Sequence, residues 1–229
     1  MTKDSWKLSR VGDSAVVVEF AQCIEPEVNA HAISVAEAIR GSGYRGVRDV
    51  VESYCAVTVH FDPLKADVVE VVNGLEAAVR RHDGAIESGR QITLPVCYGG
   101  EHGPDLSAVA CFAGCTETDV IAKHSAVVYR VYMLGFLPGF AYLGSVDQQI
   151  AMPRRKTPRV RVPHGSVGIA SYQTGVYPVE APGGWQLIGR SPVKPFDLRR
   201  SDPFLFQAGD TVRFESINRE EFNCLTSEA

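Results

Sequence analysis

The sequence predicts an α+β protein in two parts: a small α+β sandwich over residues 1–88 and a closed β-barrel over residues 89–229. Three observations carry that division. Apolar residues recur at helical spacing twice before residue 82, with short β-branched runs between them. A polar, glycine-bearing stretch, "HDGAIESGR" at 82–90, reads as a linker. From Val127 onward helical signals nearly vanish, and short runs such as "VVYRVYML", "SVGIA", "WQLIGR" and "DTVRFESI" are broken by Gly and Pro.

Taken in order, "SAVVVEF" at 14–20 is a strand following the Gly12-Asp13 turn signal. Over 25–40, Val28, Ala32, Val35, Ala36 and Ile39 make one helical stripe, ended by Gly41 and Gly43. "VRDVVES" and "YCAVTVHF" follow as strands; the second alternates Val57, Val59 and Phe61 against Ala56, Thr58 and His60. A second helix spans about 64–81 on Val68, Val71, Val72, Leu75 and Val79. "RQITLPVCYGG" at 90–100 is extended. Its position gives the order strand, helix, two strands, helix, strand, which suits two helices on one sheet. Asp105 after Pro104 is a candidate cap for a third helix, and Thr116 with Asp119 a capping pattern for a fourth. Nine prolines from Pro138 to Pro203 cannot occupy paired strand centres, so they punctuate long connections.

At 229 residues, 45% hydrophobic and 22% charged, the chain carries ample material for a core. A net charge of −4 and a pI of 5.9 argue against nucleic-acid binding. "MTKDSWKLSR" has no signal-type apolar run, and nothing approaches the ~18 apolar residues of a membrane span. Six cysteines without CxxC read as reduced thiols in a cytoplasmic protein, with Cys111 and Cys115 as small buried apolar residues.

Common catalytic signatures are absent. There is no GxxxxGK[ST] loop and no zinc-ligand spacing, so no metal site is expected. "HGSVG" has His164 where a serine nucleophile elbow needs Gly. Three stretches remain. In "PRRKTPRVRVPHGSVGIA", five of the eight residues at 154–161 are cations. Extended, this segment puts Arg155, Arg159 and Arg161 on one face and Arg154 and Lys156 on the other. It reads either as a solvated edge strand or as an anion site, since guanidinium pairs bidentately with carboxylate and phosphate. "APGGWQLIGR" offers Gly183 and Gly184 for close backbone approach, Trp185 as a flat apolar surface and Arg190 as a fixed cation; a plain turn with a core Trp is the alternative. "LGFLPGFAYLG" sets Phe136, Phe140 and Tyr142 among glycines, as a ligand or partner surface or as barrel packing. His124 and His164 are the histidines nearest this chemistry.

The blocks "GFLPGFAYLG", "PRRKTPRVRVPHGSVGIA", "QTGVYPVEAPGGWQLIGR" and "FDLRRSDPFLFQAGDTVRF", in that order, resemble the family of the 5-oxoprolinase B subunit. It is also called the Kip-type kinase inhibitor or allophanate hydrolase subunit 1 family. The resemblance covers nearly the whole chain and is densest over 98–214. It implies that the barrel is cyclophilin-like. It implies two partners. One is a second cyclophilin-like subunit, of the type of the 5-oxoprolinase C subunit or allophanate hydrolase subunit 2. The other is a LamB/YcsF-type chain, the A subunit. The implied activity is ATP-dependent opening of 5-oxoproline to glutamate, with Mg²⁺ accompanying ATP and little turnover by this chain alone. Two other branches of the resemblance imply inhibition of a histidine kinase, or the carboxyltransferase part of urea carboxylase.

Matched residue by residue, the resemblance and the chemistry together nominate Arg154, Arg159 and Arg190 as catalytic cations. Gln173, Tyr177, Gly183, Gly184, Trp185 and Phe140 become substrate-binding candidates. His164 departs from the pattern, which has a smaller residue before Gly-Ser. The guanidinium groups are expected to converge on one small anion, in a site completed by a partner protein.

Overall fold

A computed structural model describes residues 6–81 and 89–227. The chain divides into two compact units, Met1–Glu87 and Ser88–Ala229. Most of the stretch read as a linker, residues 82–88, lies outside the described residues.

In the first unit the elements are β1 (Lys7–Val11), β2 (Ala15–Glu19), α1 (Pro26–Ser42), β3 (Val47–Glu52), β4 (Ala56–Phe61) and α2 (Val68–Arg81). The sheet order is β1-β2-β4-β3, with every neighbouring pair antiparallel. Alternation on β4 works as expected: Val57, Val59 and Phe61 are buried against the stripes of the two helices. Pro26 begins α1, where its missing N–H is harmless, and Gly43 ends it in the left-handed region; Gly41 lies inside the helix. The second helix begins at Val68 rather than near 64. The Asp67 carboxylate accepts from the backbone N–H of Val69 (2.9 Å) and Glu70 (3.2 Å), and so fixes the first turn.

One expectation fails here. The strand read over 90–100 does not complete this sheet. The fourth strand is β1, an N-terminal segment with little apolar alternation, which pairs with β2 from Lys7↔Glu19 to Val11↔Ala15.

The second unit holds a closed barrel. Its strands are β5 (Gln91–Tyr98), β6 (Val128–Leu134), β7 (Ala141–Gly144), β9 (Ser166–Ala170), β10 (Gln173–Val176), β12 (Gln186–Arg190) and β13 (Thr211–Ile217). They close in the order β10-β7-β6-β13-β5-β12-β9. Pairing is antiparallel except between β5 and β13, whose parallel register runs from Gln91↔Thr211 to Cys97↔Ile217. Outside the barrel, β8 (Arg159–Val162) and β11 (Ala181–Gly183) form a two-stranded ribbon. Pro182 sits where that ribbon's register slips, consistent with the exclusion of proline from regular ladders. Thus the α+β sandwich and the closed barrel are both present.

Helices α3 (Leu106–Ala113) and α4 (Glu117–Ser125) precede β6, and α5 (Arg219–Ser227) follows β13. The Thr116–Asp119 pattern is a true reciprocal capping box. Asp105 is not a side-chain cap; its carboxylate is used elsewhere, as described below. Cys111 is exposed, not buried, and none of the six cysteines is in a disulfide. Among the described residues no helix is long and apolar enough to cross a membrane.

Candidate functional site

Strands β9, β10 and β12 form one wall of the barrel, and their side chains alternate between its two faces. Val167, Ile169, Val176 and Ile188 point into the main core. Ala170 and Leu187 point outward, into a separate cluster with Phe140, Val162, Tyr177 and Trp185. Glycines make that outer face flat. Gly168 and Gly175 are cross-strand partners. A Cβ on Gly168 would lie 3.0 Å from the Trp185 Cβ, and one on Gly175 would lie 3.2 Å from the Trp185 ring and 3.3 Å from the Phe140 ring. These two rings therefore rest directly on the backbone.

Phe140 is the hub of the rings. It meets Tyr142, Tyr177 and Trp185 edge to face, with centroids 4.9, 5.3 and 5.4 Å away. Burial raises the Tyr177 phenol's pKa, and the nearby Trp185 backbone N–H opposes it. Gly183 is required by the same phenol, since a Cβ there would fall 2.2 Å from the Tyr177 oxygen. Gln173 lies on the outward face of β10, opposite in direction to Thr174, and is half-buried. Phe140, Tyr177 and Trp185 are 1%, 1% and 4% exposed. They fill the space between themselves and form a firm platform instead of lining an open pocket. Next to them, residues 134–139 and Phe204 border a shallow hollow of about 330 Å³, joined to the platform by the Phe136–Phe140 ring contact at 5.6 Å.

The cation-rich segment lies over this platform. Asp105, 5% exposed, is its anchor. Its Oδ1 accepts from Arg155 Nη1 (3.1 Å) and Arg159 Nη2 (2.7 Å). Its Oδ2 accepts from the Leu187 backbone N–H at 2.7 Å, while the Asp105 N–H donates to the Leu187 carbonyl at 2.9 Å. Arg155 also donates its backbone N–H to the Gly184 carbonyl at 2.8 Å. Arg155, in the irregular stretch before β8, and Arg159, at its start, meet on the same carboxylate oxygen. Arg161 does not join them; it pairs with Glu180 at 2.8 Å on the surface. Arg154 lies over the Trp185 ring, its Cζ 5.8 Å from the centroid, and its charge bears on Tyr142 and Tyr177. Arg159 Nη1 is buried with no hydrogen-bond partner among the described residues. Two guanidinium groups thus meet on a single carboxylate, a third lies over Trp185, and one donor of Arg159 is unmatched among the described residues.

Arg190 stands apart. Its Nε donates to the His164 carbonyl (2.8 Å) and its Nη2 to His164 Nε2 (3.1 Å). Burial, then Arg190, then Lys194 depress the His164 pKa, so the ring is held as a neutral acceptor. His164, the residue that departs from the family pattern, is therefore Arg190's partner. The expected convergence of three arginines resolves into Arg154 and Arg159 at the aromatic platform and Arg190 at His164.

The inner face of the wall holds a network that sequence reasoning missed. His124 is fully buried. Thr174 Oγ1 donates to the Gly168 carbonyl at 2.9 Å, so it accepts from His124 Nε2–H, also at 2.9 Å. Nδ1 is then the acceptor for the Tyr98 hydroxyl at 2.8 Å. Burial lowers the His124 pKa to about 3 and keeps the ring neutral. Each polar atom along this chain has its partner. Asp105 was missed as an ionic anchor for a different reason: its partners lie 50 and 54 residues away, where no local pattern reaches.

A model of the family described as carboxyltransferase domain, subdomain C and D, matches residues 6–206. The 5-oxoprolinase B subunit of Bacillus subtilis (strain 168) is 36% identical over 235 aligned positions, covering 98% of each chain. Among solved structures, the crystal structure of TTHA0988 superposes with a TM-score of 0.81 at 36% identity, covering 89% of this chain and only 40% of that longer one. The K. lactis urea amidolyase shares the fold over all of this chain and 16% of its own, with a TM-score of 0.79 at 17% identity. With a family model spanning most of its length and a relative this similar from end to end, the chain belongs to the carboxyltransferase domain, subdomain C and D, family.

Proposed function

We propose that this chain is the B subunit of a 5-oxoprolinase, which opens the lactam of 5-oxoproline to glutamate in an assembly with partner subunits. The observation that carries the reading is the match to the Bacillus subtilis chain of that name, 36% identical over 98% of both. The geometry supports an anion-binding role within it. Arg155 and Arg159 share one carboxylate, Arg154 lies over Trp185, and Arg159 Nη1 is a buried donor without an acceptor among the described residues.

A five-membered lactam resists water because its carbonyl carbon is resonance-stabilised. ATP, when bound with Mg²⁺, would supply a phosphoryl group to the lactam oxygen and make that carbon an electrophile. This chain's part is to hold charge. Arg159, fixed by Asp105, presents Nη1 toward an anion in a setting shielded from water, where a fixed donor acts most strongly. Arg154 adds a mobile cation over Trp185. The Phe140–Tyr177–Trp185 platform keeps the ribbon that carries Arg159, and the segment leading into it that carries Arg154, above the barrel wall. Partner subunits, a second cyclophilin-like chain and a LamB/YcsF-type chain, would close the site from the other side.

Co-expression with those two subunits tests the proposal through glutamate release from 5-oxoproline, with and without ATP. Release should require ATP and all the chains. Arg159→Ala should lower the rate by about 100-fold or more, the scale for losing one fixed charge-stabilising donor. Arg190→Ala, whose guanidinium is occupied by His164, should lower it far less. Substantial turnover by this chain alone, or ATP-independent release by the complex, would contradict the reading.

A further inference from the structure

The barrel unit has a second concavity, of about 200 Å³, away from the aromatic platform. Pro95 of β5, Pro192, Val193 and Leu225 of α5 give it an apolar floor, and Lys194, Asp197 and Arg200 its polar rim. The charges there are unequal in availability. Asp197 is gripped by Arg199 through Nη2 (2.6 Å), Nε (3.0 Å) and the backbone N–H (3.0 Å), so its charge is matched within its own turn. Arg200 spends Nη2 on the carbonyls of Lys194 (2.8 Å) and Pro203 (3.2 Å), which fixes its plane. Its Nε–H is buried and has no partner among the described residues. Lys194 makes no direct ion pair among the described residues, and its charge bears on Asp197 from a distance. The held Arg200 guanidinium and the Lys194 ammonium therefore stand at the rim of an apolar floor.

We infer that this concavity binds a small monocarboxylate with a compact apolar body. One carboxylate oxygen would meet the Arg200 guanidinium and the other the Lys194 ammonium, while the hydrocarbon rests on Val193, Pro192 and Leu225. Two donor directions suit the two oxygens of a carboxylate. A phosphate offers more acceptors than the rim can satisfy, and Asp197 at the same rim disfavours a dianion. Small-molecule sites commonly combine an apolar lining with a few placed polar groups. None of these residues takes part in the proposed lactam chemistry, so the two readings stand or fall separately.

The test is an NMR titration of the ¹⁵N-labelled full chain with cyclopentanecarboxylate at pH 7, with cyclopentanecarboxamide as the uncharged control. The carboxylate should shift the amides of Val193, Lys194 and Leu225 in a saturable way, and the carboxamide should not. Lys194→Glu should weaken binding at least tenfold, and Lys194→Arg should restore it with the fold unchanged. No saturable shift at these residues, equal shifts from the carboxamide, or undiminished binding by Lys194→Glu would overturn the inference. Stronger binding of inorganic phosphate at the same amides would overturn the carboxylate assignment.

Discussion

The wall made by β9, β10 and β12 carries polar chemistry on both faces, and the faces differ in how well their groups are matched. Inside the barrel, Tyr98, His124, Thr174 and the Gly168 carbonyl form a closed series in which each donor has an acceptor. Outside, Arg155 and Arg159 share one Asp105, Arg154 lies over Trp185, and a buried donor of Arg159 has no partner among the described residues. A complete buried network fixes one packing and offers nothing to a ligand. A surplus of charge held beside a rigid aromatic platform is available for binding. The contrast separates His124, whose ring nitrogens are both matched, from Arg159, which has a donor without a partner among the described residues. It also singles out Asp105, the one residue whose loss should damage the outer face as a structure.

Asp105→Ala is the largest expected disturbance. It strands two guanidinium groups and the Leu187 N–H, all of which now meet one carboxylate. Removing one partner of a buried ion pair costs about 3–5 kcal/mol. The Arg155 and Arg159 side chains are 37% and 23% exposed, so solvent softens the loss to roughly 2–4 kcal/mol. Asp105→Asn, which retains an acceptor oxygen, should cost less. Urea midpoints followed by Trp185 fluorescence in a Trp6→Phe background report the barrel unit separately. Equal midpoints for wild type and Asp105→Ala would place Asp105 among ordinary surface residues.

The inner face should reveal itself through pH. Burial lowers the His124 pKa from 6.5 to about 3, so between those values the unfolded chain binds a proton that the folded chain refuses. Stability from this group is therefore complete above pH 6.5 and falls as the pH drops toward 3, with a slope approaching about 1.4 kcal/mol per pH unit. Between pH 6.5 and 5 the loss should reach about 1.5 kcal/mol. His102 and His164 are shifted downward as well and add to the same trend. In His124→Gln the overall stability falls, but its decline between pH 6.5 and 5 should be shallower than that of wild type. Parallel curves would mean that His124 is not held neutral.

What could be read from the sequence was what is written locally. Alternation located β4, the apolar stripe located α1, and Thr116 with Asp119 located the start of α4, because each signal sits within a few residues of its effect. β1 was missed because "KLSRV" is largely exposed and barely alternates. The strand β5 was visible, but its sheet was not, because its partners β12 and β13 lie about a hundred residues further on. The site shows the same division. Its aromatics, glycines and arginines stand out in sequence, but the face read for Arg155, Arg159 and Arg161 does not hold, since the strand begins only at Arg159 and Arg161 turns to Glu180. The pairing of those arginines with Asp105, the parting of Arg161 to Glu180, and the capture of Arg190 by His164 all depend on how distant segments meet.

Arg154 gives the finest division between the faces, because it contributes charge to the outer face with little bearing on the fold. Its guanidinium is exposed and meets the Trp185 ring at 5.8 Å, a contact worth about 0.5–1 kcal/mol at an exposed site. Arg154→Ala should therefore move the urea midpoint slightly, far less than Asp105→Ala, and, under the proposed function, weaken anion capture in the assembly with partner subunits. The signature to seek is a raised KM for 5-oxoproline or ATP, with Arg154→Lys recovering part of it because the charge remains and the flat stacking is lost. A midpoint shift as large as that of Asp105→Ala would make Arg154 part of the structural framework. An unchanged KM with an unchanged midpoint would confine the functional charge to Arg159, the arginine that the fold itself holds in place.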